Sequence, residues 1–167
     1  LHRRGYPFHL YLVGEKSSEA MYRRCMDAAA EYGVTDYVHM TGNQPQSVCR
    51  QYARNALATL LPGEWNRVNI FYEVMGEGCV VLTNNNHSVD EFIDDGNNCL
   101  VYDTEAEAAE LLIALLNDPQ RAQRIRANAH RTAVERFLTV EKRFGMEAQL
   151  VMDTASGNDT AHYPEII

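Results

Sequence analysis

The sequence has no long apolar run, no surplus of positive charge, and no pair of cysteines or histidines at metal-binding spacing. Its longest apolar run, LLIALL at residues 111–116, is far too short to cross a bilayer. Acidic residues outnumber basic ones, 23 to 15, for a net charge of −8. Nucleic acid and anionic membrane surfaces are thereby disfavoured as partners. The four cysteines, Cys25, Cys49, Cys79 and Cys99, contain no C-x-x-C, and each adjoins apolar residues. Reduced, packed thiols in a cytosolic protein are expected. No two of the six histidines are spaced H-x-x-x-H, so no metal site is expected. Nor is there an internal repeat, a low-complexity tract or a signal peptide. The first residue is Leu1 rather than Met, and the chain is expected to be a piece of something longer.

What is present fits one domain. At 167 residues, 46% of them hydrophobic, the chain is long enough for a sizeable core. FHLYLVG (8–14) reads as a buried strand ending in a turn. A helix opens near Ser17 or Ser18, with Met21, Cys25, Ala28, Ala29 and Tyr32 as its apolar stripe and Gly33 as its cap. YVHM (37–40) is a second strand. Val48, Tyr52 and Ala56 recur every four residues and mark a helix. ALATLL (56–61) is a third strand, stopped by Pro62 and Gly63. Ile70, Phe71, Val74 and Met75 form the apolar side of a short helix, and CVVLT (79–83) is the fourth strand. Ser88 with Glu91 makes a capping box for a short helix ended by Gly96, and CLVY (99–102) is the fifth strand. Thr104 with Glu107 caps a helix running to Asn117. Asp118 and Pro119 then open a long helix that ends near Phe137, and a last helix spans about 140–152. Short strands, apolar on both faces and alternating with helices, indicate an α/β fold: a Rossmann-like, mostly parallel sheet with helices on both faces. The domain is expected to cover residues 1–152. Residues 153–167, small and polar, are expected to form a mobile tail.

In such a sheet, ligands bind beyond the carboxyl ends of the strands. Four loops qualify: Gly14 to Ser18, Thr41 to Pro45, Gly63 to Asn69, and Asn84 to Ser88. The third is the richest. A helix starting near Asn66, or at the latest Asn69, points free backbone N–H groups at the sheet edge, where they suit a phosphate. Asn69 and Glu73 are four apart and share a helix face opposite Ile70 and Val74. A carboxylate there accepts two hydrogen bonds from a diol such as a ribose. On pattern alone, a solvated glutamate near a favourable helix dipole is the plainer reading. VGEKSS lacks the spacing of a phosphate loop, and GEGCVV sits between helix and strand, the wrong order for a dinucleotide fingerprint. Asp94-Asp95-Gly96 reads as a helix end rather than an acid pair.

The order of motifs resembles the C-terminal, donor-binding domain of retaining GT-B glycosyltransferases, the group 1 or family 4 class, over almost all of residues 7–144. FHLYLVGEK is similar to that family's strand ending in V-G-x-G, and YVHMTGNQP to its V-x-F-x-G-x-x-P. LLPGEWNRVNIFYEVMGEG resembles L-P-S…E-G-F-G…E-A-M-A-x-G, and CVVLTNN the P-V-V-A-T strand after it. DEFIDDGNNCLVY resembles P-E-I-V-x-D-G-x-x-G-x-L-V, and LLNDPQRAQRIRANAHRTAVERF the closing L-L-x-D-P…A-R…F-S-W.

The resemblance implies transfer of a sugar from a nucleotide diphosphate sugar to a hydroxyl acceptor, with retention and without a cofactor or metal. It implies that Glu73 binds the nucleotide ribose. The family's first glutamate, which holds the donor sugar, falls at Trp65; Glu64 lies one residue off that register. Asn66, Arg67, Val68 and Asn69 would wrap sugar and diphosphate where the family has G-F-G, with Gly14, Lys16, Thr41, Gly42 and Asn43 completing the donor site. The family's Gly-Gly turn is replaced by His87-Ser88, and Glu77 matches no ligand position. The resemblance implies a cytoplasmic protein, with the cytoplasmic face of a membrane as the alternative place.

The acceptor-binding domain and the family's first strand, with its Arg and Lys for the diphosphate, would precede residue 1. That strand is central in the family's 3-2-1-4-5-6 order, so strands 8–13 and 58–61 should flank a gap. An upstream segment, a swapped neighbour or direct pairing of the two flanking strands would close it. The alternatives are a degenerate domain binding a nucleotide or partner without catalysis, favoured by Trp65, and a sugar-nucleotide epimerase of the same fold. A glycan phosphorylase is disfavoured, since only Lys16 and Lys142 could hold its pyridoxal cofactor.

Overall fold

Five strands and six α-helices alternate along the chain in a computed structural model that describes residues 1–15, 18–62, 68–84, 91–136 and 140–158. After a short 3-10 turn at His2–Arg4 come β1 (Leu10–Val13), α1 (Glu19–Glu31), β2 (Val38–Gly42), α2 (Gln46–Asn55), β3 (Thr59–Leu61) and α3 (Val68–Gly76). β4 (Val81–Asn84), β5 (Leu100–Tyr102), α4 (Glu105–Asn117), α5 (Pro119–Arg136) and α6 (Val140–Ala155) follow.

Local chemistry explains most boundaries. The Ser18 hydroxyl accepts from the Met21 N–H at 3.1 Å and starts α1. Gly33, at φ +67°, lets the Val34 N–H return to the Ala29 carbonyl at 2.8 Å and ends it. Thr104 accepts from the Glu107 N–H at 3.2 Å, and the Glu107 carboxylate accepts from the Asp103 N–H at 2.8 Å. Asp118 accepts from the Arg121 N–H at 2.9 Å, ahead of Pro119 at the first position of α5.

Four expectations need correction. The third strand is shorter than 56–61, because Ala56 and Leu57 turn out of α2 to lend their carbonyls to Arg126. Among the described residues of the expected 88–96 helix, 91–95 form a turn and an extended stretch, held by Asn98 and Asp95 side chains. The apolar stripe of α1 buries only Ala29, while Met21 and Tyr32 are exposed. Helix α6 runs to Ala155, three residues past its expected end at 152 and into the expected tail.

All strand pairs are parallel, but the strands form two sheets: β1 with β2, and β3–β4–β5 with β4 in the middle. Of the three ways to close a gap between β1 and β3, direct pairing is not made. The Gly14 N–H donates to the Gly42 carbonyl, and the Thr59 N–H to that of Val80. Main-chain groups alternate sides along a strand. Those of Tyr11 and Val13 on β1, and of Leu60 on β3, therefore point away from their sheet partners. The same three side chains are 46%, 37% and 40% exposed. Contacts still bridge the two sheets. Arg4 pairs with Glu110 of α4 at 2.5 Å, and Tyr52 of α2 lies 5.1 Å, ring to ring, from Tyr11.

The core belongs to the second sheet. On one face Leu61, Val81 and Cys99 pack with Phe71, Val74 and Met75 of α3 and Ala129 and Ala133 of α5. On the other Val80, Leu82, Leu100 and Tyr102 pack with Ala108 and Leu115 of α4 and Ala122 and Ile125 of α5. Among described residues 1–52, only Ala29 is buried. No described helix is long and apolar enough to cross a membrane.

Candidate functional site

Strand β1 ends at Gly14, whose φ of +143° costs an L side chain strain but suits glycine. Strand β2 ends at Gly42, at φ +69°. Next to it the Thr41 hydroxyl donates to the Leu12 carbonyl at 3.3 Å, tying the end of β2 to β1. The Gln44 side chain donates to the Thr41 carbonyl at 2.7 Å and shapes the turn into α2. A Cβ at either glycine would meet no described residue within 4 Å.

Glu73 lies on α3, exposed, one turn after Asn69. Its Oε1 accepts from the Gln46 side-chain amide at 3.0 Å. Gln46 is the first residue of α2, so this bond brings the loop after β2 to the helix after β3. Of the residues expected to form the donor site, Gly14, Thr41, Gly42, Asn43, Asn69 and Glu73 are described at strand ends or on α3. Val68 is the first residue of α3. Lys16, Glu64, Trp65, Asn66 and Arg67 lie outside the described residues, as do His87 and Ser88.

Glu77 has a different role. Its carboxylate is 14% exposed and takes Arg54 Nε at 3.1 Å and Arg50 Nε at 3.7 Å. The acid unmatched by any ligand position thus clamps α3 to α2. Sequence reasoning missed Gln46, Arg50 and Arg54. The signal was their four-residue spacing on α2, matching that of Glu73 and Glu77 on α3, and it becomes visible only once the two helices are known to touch.

Away from these strand ends, the two buried thiols, Cys79 and Cys99, are unreactive. All four cysteines are free. Burial pushes the Cys79 thiol up from its ordinary range. Burial, with Asp95 and Asp94 nearby, pushes that of Cys99 up to about 12. A shallow groove at the start of β4, lined by Arg54, Glu77, Gln123, Arg126 and His130, holds a guanidinium that is already spent. Arg126 donates to the Ala56 and Leu57 carbonyls and so satisfies the exit from α2.

A family model described as glycosyl transferase-like matches residues 8–147. No curated protein sequence matches the chain. Among solved structures, the chain is similar to HepE (Alr3699) of Anabaena in complex with UDP, at 20% identity and a TM-score of 0.72. That match covers 90% of this chain and 41% of HepE. It is similar to sucrose-phosphate synthase of Thermosynechococcus elongatus at 20% identity and a TM-score of 0.75, over 90% of this chain and 39% of that one. The C-terminal domain of LpcC, a glycosyl transferase group 1 family protein of Francisella tularensis, matches at 14% identity and a TM-score of 0.70, over 79% and 71% of the two chains. At these identities the likeness is one of fold. The chain spans about two fifths of the length of HepE.

Proposed function

The chain belongs to the glycosyl transferase-like family, and from that premise we propose that it is the donor-binding half of a retaining glycosyltransferase. The whole enzyme would move a sugar from a nucleotide diphosphate sugar to a hydroxyl acceptor. One observation carries the reading. The strand-end loop after β2 and the helix after β3 converge on a single exposed carboxylate, Glu73, held through one oxygen by Gln46. A carboxylate at the carboxyl end of a parallel sheet accepts hydrogen bonds from a ribose diol. HepE, which shares the fold, was crystallised with UDP and with UDP-glucose.

In this reading the chain binds and orients. Glu73 accepts from the ribose hydroxyls, and the bare backbone at Gly14 and Gly42 admits the nucleotide closely. Residues 64–69 would lie against sugar and diphosphate, with Glu64 on the donor sugar. Lys16 and Arg67 are the cations we assign to the leaving diphosphate, whose charge is what the protein must stabilise. No covalent nucleophile and no resident cofactor is invoked. The acceptor site and much of the catalytic cleft would come from a further, N-terminal domain. A nucleotide-binding domain without catalysis is the second reading, favoured by Trp65, which stands eight positions before Glu73 where the family has its first glutamate.

Calorimetric titration with UDP, GDP and ADP and their sugars tests the reading. One nucleotide diphosphate should bind, and Glu73→Ala should weaken it by roughly 2–4 kcal/mol, two charge-assisted hydrogen bonds. Glu77→Gln should leave binding unchanged while lowering stability. Equal losses of affinity in the two variants would sink the assignment. Binding of nucleotide without any preference for its sugar would favour the second reading.

A further inference from the structure

Helices α2 and α3 meet along a ladder of polar rungs. On α2 the rungs are Gln46, Arg50 and Arg54; on α3 they are Glu73 and Glu77. Each set is spaced by four residues, so each lies on one helix face. The inner acid, Glu77, is served by two guanidinium groups. The outer acid, Glu73, at the strand-end side, is served by a neutral amide at 3.0 Å. Its other oxygen has no partner among the described residues.

Charge complementarity alone does not explain that neutral rung. An arginine at position 46 would continue the pattern of Arg50 and Arg54 and grip Glu73 at both oxygens. A grip of that kind neutralises the carboxylate and occupies the lone pairs that hydroxyl donors need. An amide does something different. Its N–H fixes the carboxylate in one orientation through Oε1 and leaves the negative charge and Oε2 available.

We infer that Gln46 is a positioning residue for ribose recognition: it orients Glu73 toward the nucleotide diol without neutralising it. The inference rests on the reading that Glu73 takes the ribose. A plain structural clasp makes the opposite prediction, since an arginine at 46 would clasp Glu73 at least as well.

The test compares each nucleotide, UDP, GDP and ADP, with its 2′,3′-dideoxy form, which lacks the diol, by titration of the whole chain. For the nucleotide that binds, the quantity read is the ratio of the two affinities. It cancels general attraction between a new cation and the diphosphate. The wild type should favour the diol form by tenfold or more, roughly the effect of one to two hydrogen bonds to a charged acceptor. Gln46→Met, similar in shape but without a donor, should lower the ratio about fivefold or more. Gln46→Arg should lower it as much while keeping or raising the thermal unfolding midpoint. A ratio unchanged from wild type in both variants overturns the role of Gln46. A wild-type ratio near one is a separate failure, that of Glu73 as the ribose ligand, and it removes the inference with it.

Discussion

Asn98 is one of two buried polar side chains among the described residues, 4% exposed, and both its amide nitrogen and its oxygen are hydrogen-bonded. Its carbonyl accepts from the Asp94 N–H at 2.8 Å, and its amide donates to the Phe92 carbonyl at 2.8 Å and the Thr132 hydroxyl at 3.1 Å. It replaces the backbone ladder that residues 91–98 lack, and it pins their turn to α5. Removing it takes a partner from the part-buried Asp94 N–H and from the buried Phe92 carbonyl, each at up to about 1–3 kcal/mol. Asn98→Ala should therefore lower stability by roughly 2–4 kcal/mol in urea unfolding. A loss below about 0.5 kcal/mol, within the range of ordinary surface changes, would show that water replaces it at no cost. The sequence shows Asn98 only as one of a run of polar residues after DDG. That it is the buried one depends on α5 returning over it from far along the chain.

At the scale of elements, the two open strand edges dominate. The main-chain groups of Tyr11, Val13 and Leu60 face no described strand. Unpaired groups of this kind cost roughly 1–3 kcal/mol each when buried dry, so the chain leaves them wet. Their exposed side chains follow from the same cause, as does the uncovered stripe of α1, whose Met21 and Tyr32 find no sheet face to bury. Amide hydrogen exchange measures this directly. In the 167-residue chain, the amides of Tyr11, Val13 and Leu60 should exchange quickly while those of Val81 and Leu82 in β4 are protected. Extending the chain at its start with a segment taken from a relative that supplies the family's first strand should protect the three open amides by a hundredfold or more. A gap that stays unprotected in the extended chain would mean that the strand order expected from the family is wrong.

At the scale of the whole molecule, one half has a core and the other does not. Every described buried residue except Ala29 lies at or beyond position 53. The loops proposed for the donor are thus split between a well-packed half, carrying Glu73, and a thinly packed one, carrying Gly14 and Gly42. The chain also spans only about two fifths of HepE. It follows that the purified chain should transfer no sugar, whatever donor and acceptor are supplied, because a catalytic cleft needs both sides to hold reactants in line. Detectable turnover by the 167-residue chain would refute this.

Period and punctuation in the sequence determined the elements. Helix caps at Ser18, Thr104 and Asp118, and the apolar runs of the strands, are local devices that act within a few residues, so they can be read without knowing the fold. The parallel α/β class follows from their alternation, and Glu73 stands out by its matched motif. The tertiary structure decided what depends on distance. It divided the sheet between β1 and β3, since strand pairing joins residues far apart in sequence. It gave Glu77 to Arg50 and Arg54, and Glu73 to Gln46. The two acids look alike in the chain. They differ because, among the described residues, α2 brings cations to the inner one and an amide to the outer, and a carboxylate's availability is set by what faces it across space.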